Sequence, residues 1–409
     1  MGAAQTTSAR STAVRRLLCA RALRAFADGF VSLLLPLHLL ALGFSPLEVG
    51  AIATATLLGS GLLTLGVGLR ANRFGSRALL IAAAALMCAT GLGFAALTSF
   101  GPLLLVAIVG TLNPSSGDVS VFLPLEHAVL ADVVADRERT AAFARYSLVG
   151  ALAGAVGALF AGAPQIAHGW FGVEPRAVYP WMFVLYAALG LASGAMYRSL
   201  PVAAPAETTP AAPLGPSKRL VYGLATLFSL DAFGGGFIVQ SLLALWLFQK
   251  FQVSSAVAGA IFFWTSLLSA GSYLVAARIA RRIGLVNTMV FTHLPANVLL
   301  ILLPFAAHLS WVVALLLVRA ALSQMDVPTR SSYVMAVVEP SERAAAAGIT
   351  SVPRSLASAV SPLIAGWLLG LSAFGWPLVV AGSLKIVYDL LLLGTFRSVR
   401  PPEESALRR

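Results

Sequence analysis

The run Gly110-Thr-Leu-Asn-Pro-Ser-Ser-Gly-Asp118-Val-Ser-Val-Phe-Leu-Pro-Leu-Glu126-His127 lies inside an apolar segment, Pro102 to Val134, about as long as one tilted membrane crossing. It carries two prolines, two glycines, a cluster of hydroxyls and two carboxylates. A charge at membrane depth costs roughly 2.5–3.5 kcal/mol on insertion scales, so a buried partner or a water-filled path must offset it. A weaker copy lies downstream, Arg319-Ala-Ala-Leu-Ser-Gln-Met-Asp326-Val-Pro-Thr-Arg330. The expectation is that Asp118 and Asp326 face a common cavity from opposite sides. The rest of the chain then reads as the frame that holds these two segments.

Composition agrees. A soluble domain carries about a quarter charged residues. Of these 409 residues only 11% are charged and 58% are hydrophobic, and the mean hydropathy is +0.87. That is a polytopic membrane protein. The net charge of +12 does not point to nucleic acid, because the basic residues form short clusters between apolar runs. Cys19 and Cys88 lie in apolar runs without metal-ligand spacing. No small-residue cleavage site follows the basic stretch Met1–Arg16, so no removable signal peptide is expected. Met1-Gly2-Ala3-Ala4-Gln5-Thr6 fits the short myristoylation pattern, but an integral protein needs no lipid anchor.

Apolar runs bounded by Gly, Pro or basic clusters predict twelve transmembrane helices, near 17–42, 46–69, 78–98, 102–134, 141–163, 178–199, 219–248, 255–277, 284–307, 310–337, 344–370 and 376–396. Arginine and lysine occupy alternate loops, at Arg10/Arg15/Arg16, Arg70/Arg73/Arg77, Arg137/Arg139, Arg198/Lys218/Arg219, Arg278/Arg281/Arg282, Arg343 and Arg397/Arg400. The other loops hold little beyond Arg176 and Lys250. The positive-inside rule therefore predicts a cytoplasmic-membrane protein with both termini in the cytoplasm. Pro201–Pro216 is neither apolar nor periodic and reads as an extended linker. The expected organisation is a cytoplasmic tail (1–16), a six-helix bundle (17–200), a linker (201–218), a second six-helix bundle (219–396) and a tail (397–409). The halves echo each other in order. Gly29-Phe30-Val31 matches Gly236-Phe237-Ile238, Gly50-Ala51-Ile52 matches Gly259-Ala260-Ile261, Asp118-Val119 matches Asp326-Val327, and Glu138-Arg139 matches Glu342-Arg343. The fold expectation is an all-α membrane protein of two pseudo-symmetric bundles.

The loop after helix two reads Gly68-Leu-Arg70-Ala-Asn72-Arg73-Phe-Gly75-Ser-Arg77, and a degraded copy after helix eight reads Ala277-Arg278-Ile-Ala-Arg281-Arg282-Ile-Gly284. The first resembles the G-x-x-x-D-R-x-G-R-R loop of the major facilitator superfamily. With the two six-helix halves and the central linker, the resemblance extends over essentially the full chain. It implies a cytoplasmic latch at Gly68, Asn72, Arg73, Gly75, Arg77, Arg281, Arg282 and Gly284. The departure is Asn72, where the family has Asp, and it removes the charge from that latch. Gly150-Ala-Leu-Ala-Gly154-Ala-Val-Gly157 and Ala357-Ser-Ala-Val-Ser361-Pro362-Leu-Ile-Ala365-Gly366 are similar to the superfamily's antiporter motif. Ordinary packing of small residues accounts for them equally well.

Helices one, four, seven and ten carry deep acids: Asp28, Asp118, Asp231 and Asp326. The resemblance implies that these four helices line a central cavity. Glu126 stands two turns beyond Asp118, placed to exchange a proton with an aqueous vestibule. Arg319, Arg330 and Arg354 are the basic residues at depth. Lys385 and Asp389, spaced i,i+4, are expected to pair within helix twelve. His38 and His293 read as satisfied core histidines. Prolines 114, 124, 328, 353 and 362 are expected to bend helices four, ten and eleven. The sequence shows no phosphate loop, no catalytic constellation and no metal-ligand cluster, so neither an enzyme nor a cofactor is expected. The expected partners are a small solute, protons or another coupling ion, and lipid, with the chain a monomer. The leading expectation is proton-coupled efflux of an amphipathic or cationic compound by a secondary transporter. A second reading on the same fold is an organic-anion symporter or exchanger gripping its cargo with the arginines. From another class comes a non-transporting sensor or scaffold.

Overall fold

The computed structural model describes residues 2–115, 120–134, 138–200, 214–339, 342–397 and 399, the side chains of 2–10, 68–73, 140, 274, 277 and 344 excepted. Among the described residues all regular structure is helical: α1 Gly2–Ala41, α2 Pro46–Phe74, α3 Ser76–Ala96, α4 Phe100–Val109, α5 Phe122–Val133, α6 Arg139–Phe160, α7 Ala163–Phe171, α8 Pro175–Arg198, α9 Lys218–Gly236, α10 Gln240–Phe251, α11 Ser255–Ile283, α12 Leu285–Leu302, α13 Leu309–Ser323, α14 Asp326–Val337, α15 Arg343–Leu371 and α16 Trp376–Phe396. Eleven segments are long and apolar enough to cross a membrane. The twelfth crossing, the fourth in order, is made of two shorter pieces, α4 and α5.

Among the described residues three crossings are broken: four between α4 and α5, seven between α9 and α10, and ten between α13 and α14. In crossing eleven α15 is one continuous helix through Pro353 and Pro362. Pro362 leaves the Ser358 carbonyl without its helical donor. The Ser361 hydroxyl donates to that carbonyl instead, at 3.4 Å. Crossing seven breaks without a proline, after Gly234-Gly235-Gly236. Its freed backbone finds a partner across the molecule: the Ser241 amide donates to the Pro114 carbonyl at 3.0 Å. The breaks of crossings four and seven therefore meet.

The duplication is visible in three dimensions. Gly75 and Gly284, 209 positions apart in the two latch loops, both stand at the start of a helix with positive φ, +67° and +89°. A side chain is strained there, which accounts for glycine at both places. Gly29 on α1 lies against Gly154 and Gly157 of α6, and Gly236 on α9 lies against Ser358 and Ser361 of α15. The small-residue stripes are thus packing surfaces, within one bundle at Gly29 and Gly236 and between the bundles at Gly366, which lies against Gly50.

The bundles meet along α2 with α15 and α6 with α11. A Cβ on Gly50 would stand 2.9 Å from the Gly366 Cα, and one on Gly259 would stand 2.5 Å from the Ala158 carbonyl. Nearby, the Ser255 hydroxyl donates to the Ala161 carbonyl at 2.6 Å, and the Leu363 amide donates to the Thr54 hydroxyl at 2.9 Å. All these contacts lie at the end away from the chain termini. At the other end α5 packs on α1, α3 and α6, and α14 packs on α11, α12 and α15, each within its own bundle. Residues 351–356 of α15 are exposed without interruption. Six residues sweep every face of a helix, so this half of α15 borders open space as well as the bundle exterior. Among the described residues the bundles touch at the end away from the chain termini, while α5 and α14 at the other end pack within their own bundles.

The end of the linker is pinned by Glu342. Its carboxylate accepts from the Gly215 amide at 2.5 Å and the Ser217 amide at 3.2 Å, beside the start of α9. The Ser217 hydroxyl and these amides hold the Glu342 carboxyl below its ordinary value of 4.5. A carboxyl with a lowered folded value contributes stability that is present above the unfolded value and lost as pH falls through the folded one. Hydrogen exchange at the first turn of α9 is therefore expected to accelerate as pH drops below about 4.5, after correction for intrinsic rates. Glu342→Gln is expected to exchange fast at every pH. Equal exchange in both proteins at neutral pH would show that this contact does not hold the linker.

Candidate functional site

Each bundle buries one network of charge. In the N-terminal bundle Arg24 of α1 and Glu126 of α5 form an ion pair, 1% and 0% exposed. The Arg24 Nε donates to the Tyr197 hydroxyl at 2.9 Å, and that hydroxyl donates to the Glu126 Oε1 at 2.6 Å. Tyr146 donates to the other carboxylate oxygen. The guanidinium lies over the Phe122 ring, 4.1 Å from its centre. A buried pair offsets its desolvation only with good geometry and further hydrogen bonds, and here both are present. Glu126, expected at an aqueous vestibule, is instead sealed within this network. Asp28 is buried one turn along α1, in electrostatic range of Arg24 and Tyr186. Asp118 lies outside the described residues.

In the C-terminal bundle Asp231 of α9 accepts from Lys385 of α16 at 2.6 Å. Arg330 of α14 approaches the other Asp231 oxygen at 3.2 Å, off the hydrogen-bonding direction, and also pairs with Asp326 one turn back. Its guanidinium lies 5.2 Å from the centre of the Phe228 ring. His293 of α12 places Nδ1 2.9 Å from Asp389 and Nε2 3.9 Å from Asp231. The Asn297 amide donates to the second Asp389 oxygen at 2.9 Å.

Several sequence expectations change here. Lys385 and Asp389 do not pair within α16. The rotation of that helix sends Lys385 to α9 and Asp389 to α12. Asp326 is locked in a buried pair with Arg330 rather than facing an open cavity, because α14 begins at Asp326 and brings its own arginine round one turn later. His293 is no ordinary core histidine, since two carboxylates face its ring, whereas His38 makes a simple contact with the Phe94 carbonyl at 2.9 Å. Arg319 is half-buried on α13, and its Nε meets no hydrogen-bond partner among the described residues. Arg354 of α15 is exposed, in electrostatic range of Arg330, Asp231, Asp326 and Tyr388. It makes no ion pair among the described residues. In the latch loops Gly68, Asn72 and Arg73 lie on α2 with side chains outside the described residues, Arg77 is half-buried, and Arg281 and Arg282 are exposed.

The residue the sequence reading missed is Arg24. Gly29 and Gly236 are 207 positions apart, and so are Arg24 and Asp231. Glu138 and Glu342 are 204 apart, and so are Glu126 and Arg330. Equivalent positions on crossings one and four, and on seven and ten, hold the same ion pair with its polarity reversed. In both bundles the arginine also rests on a phenylalanine of the partner crossing. A search for identical residues passes over this pair. A search for oppositely charged residues at equal offset finds it.

This architecture has known counterparts. The sequence profile of the Major Facilitator Superfamily matches residues 17–317 and 224–409. The chain belongs to this superfamily. The "Uncharacterized membrane protein YJR124C" of Saccharomyces cerevisiae is 25% identical over 413 aligned positions, covering 92% of each chain. Among solved structures, a bacterial homologue of the human lysosomal transporter Spinster, inward-facing and occupied, superposes with a TM-score of 0.75 at 14% identity, covering 95% of this chain and 97% of its own. The nucleoside transporter NupG superposes at 0.72 and 14% identity, covering 94% and 99%. The superfamily's transporter fold is therefore the fold of this chain, and its twelve crossings make it a multi-pass membrane protein. At such identities the likeness concerns the fold and leaves the cargo open.

Proposed function

We propose that the chain is a secondary transporter that moves a small organic anion by alternating access. The carrying observation is Arg354. Glu126, Asp231 and Asp326 are each already bonded to a buried arginine or lysine. Arg354 is left over, exposed at membrane depth on the half of α15 that borders open space. An unneutralised cation there is costly unless water or a ligand reaches it. A guanidinium suits a carboxylate in particular, since it can bind both oxygens at once. Proton-coupled efflux of a cationic compound, the first expectation, would draw on acids such as these, and Glu126, Asp231 and Asp326 are each paired with a cation.

The same reading takes the end that carries the chain termini as parted and places it in the cytoplasm, because the basic loops lie there. The protein would sit in the cytoplasmic membrane, act as a monomer, and be caught open to the inside. Alternation follows from two bundles rocking about the junction of crossings one, four and seven. There the Gln240 amide donates to Ser32 at 3.0 Å beside the Ser241–Pro114 bond.

Thermal unfolding of the purified protein against a panel of organic carboxylates and a panel of organic cations tests this. Ligand at a hundred times its dissociation constant stabilises by about 2.7 kcal/mol. Carboxylates are expected to raise the midpoint, Arg354→Ala to abolish the rise, and Arg354→Lys to retain part of it. Stabilisation by cations alone, or an undiminished carboxylate response in Arg354→Ala, would overturn the reading.

A further inference from the structure

We infer that His293 and Asp389 form a proton-binding site, and that its occupancy is coupled to an anion at Arg354. The second part rests on the anion reading above, and the first does not.

The starting point is charge balance. The C-terminal network holds three carboxylates, Asp231, Asp326 and Asp389, against two permanent cations in bonding contact, Arg330 and Lys385. Within bonding contact one positive charge, or one proton, is missing, since Arg354 lies in electrostatic range but makes no ion pair among the described residues. The imidazole shows where it goes. A neutral histidine has one N–H and one bare nitrogen. Here a carboxylate faces both nitrogens, Asp389 at 2.9 Å and Asp231 at 3.9 Å. A bare nitrogen against a carboxylate is repulsive. The arrangement is satisfied when His293 carries two protons, or when Asp389 is the acid and donates to Nδ1. Either state holds one proton that the rest of the network does not supply. Both groups are buried, so hydration cannot supply the balance.

The surroundings are otherwise complete. From α16 come Asp389, Lys385 and Tyr388, whose ring stands edge-on to the imidazole at 6.1 Å. From α9 comes Asp231, and from α14 come Asp326 and Arg330. On α12 itself Asn297 contacts both His293 and Asp389. Neither α11 nor α13 brings a charged group into bonding contact with His293 among the described residues.

Asp231 links this site to the cavity. It faces His293 on one side and lies in electrostatic range of the exposed Arg354 on the other. An anion bound at Arg354 neutralises a cation near Asp231 and adds negative potential at the network. Both effects favour the proton on His293–Asp389. By linkage the proton favours the anion to the same degree. The proton is taken up from the bulk solution as the anion binds and is returned to it as the anion leaves, so charge and protons balance over the cycle. Anion and proton then travel together, in contrast to the exchange of a cation for protons.

The test is nuclear magnetic resonance of the full chain in lipid nanodiscs with isotopically labelled histidine. The chain has five histidines, and loss of one signal in His293→Gln assigns the resonance. The His293 signal is expected to report loss of the bound proton in one step as pH is raised. Asp389→Asn is expected to move that step to lower pH by more than one pH unit. Should Asp389→Asn fail to fold, Asn297→Ala moves it the other way, because it removes a donor that favours the Asp389 carboxylate. Benzoate, as a probe anion, raises the midpoint in wild type and leaves it unmoved in Arg354→Ala. A His293 that stays neutral throughout, or a step indifferent to both neighbours, overturns the proton site. Carboxylates that stabilise the protein through Arg354 beside a silent His293 would overturn the proton site and leave the anion reading standing. A titrating His293 that benzoate never shifts, in a protein that carboxylates still stabilise through Arg354, would overturn the coupling alone.

Discussion

Glu126→Ala is expected to lower stability by about 3–5 kcal/mol, the range found when one partner of a buried ion pair is removed. The substitution leaves the Arg24 guanidinium, 1% exposed, facing an apolar gap. It also leaves the Tyr146 and Tyr197 hydroxyls without their acceptor. Glu126→Gln keeps an acceptor but not the charge, so its cost falls between wild type and alanine. The double substitution Arg24→Leu with Glu126→Leu removes both charges and is expected to recover most of the loss, because a matched apolar pair avoids desolvation altogether. Equally informative is the reversed pair, Arg24→Asp with Glu126→Arg. The C-terminal bundle runs this polarity between crossings seven and ten, so crossings one and four have the geometry to accept it. Recovery is expected to be partial, since the two tyrosines are placed to donate to an acid at 126. Unfolding of the four variants in one detergent, followed by helical signal, gives the comparison. A reversed pair no better than Glu126→Ala would mean that the likeness between the two networks is one of position only.

The second large effect concerns the closed end. Gly50→Leu with Gly259→Leu is expected to reduce transport more than tenfold and to hold the bundles apart where they now touch. The opposing atoms are backbone, the Gly366 Cα and the Ala158 carbonyl, so no rotamer change can make room. Moving a two-state protein from one conformation almost wholly to the other needs about 5.5 kcal/mol. Overpacking at one site costs typically 1–3 kcal/mol, so two sites acting together approach that figure. The parted end should then close. Distances between spin labels placed on both bundles, one pair at each end, would show the exchange of open and closed ends. Gly61→Leu serves as the control, because a Cβ there meets nothing within 4 Å. Unchanged distances in the double variant would place the seam elsewhere.

The legible and the illegible parts of this molecule differ in kind. Crossing four was legible as a membrane segment from its length, and as an unusual one from Pro114 and its hydroxyls. That it splits into α4 and α5 follows from the same residues. Crossing seven carries no proline; it breaks after Gly234-Gly235-Gly236, and beyond the break the Ser241 amide donates to the Pro114 carbonyl of the other bundle. The latch glycines, Gly75 and Gly284, were found from spacing, and the backbone shows why each is glycine. Lys385 and Asp389 misled, because i,i+4 spacing makes a pair possible without making it the best one. Arg24 went unseen, because an arginine near the start of a helix resembles any basic residue flanking a membrane.

Length, hydropathy, basic-loop alternation and the order of the repeats are properties along one dimension. By themselves they determined a membrane protein of twelve crossings in two duplicated bundles. Which charges neutralise which is decided in three dimensions, by helix rotation and by packing between residues far apart in the chain. Lys385 reaches Asp231 across 154 positions, and Glu126 reaches Arg24 across 102. In a medium without water, a buried charge takes the partner that packing brings to it. Only the tertiary structure could therefore show that Glu126, Asp231 and Asp326 are each paired with a buried cation, while Arg354 is exposed and makes no ion pair among the described residues.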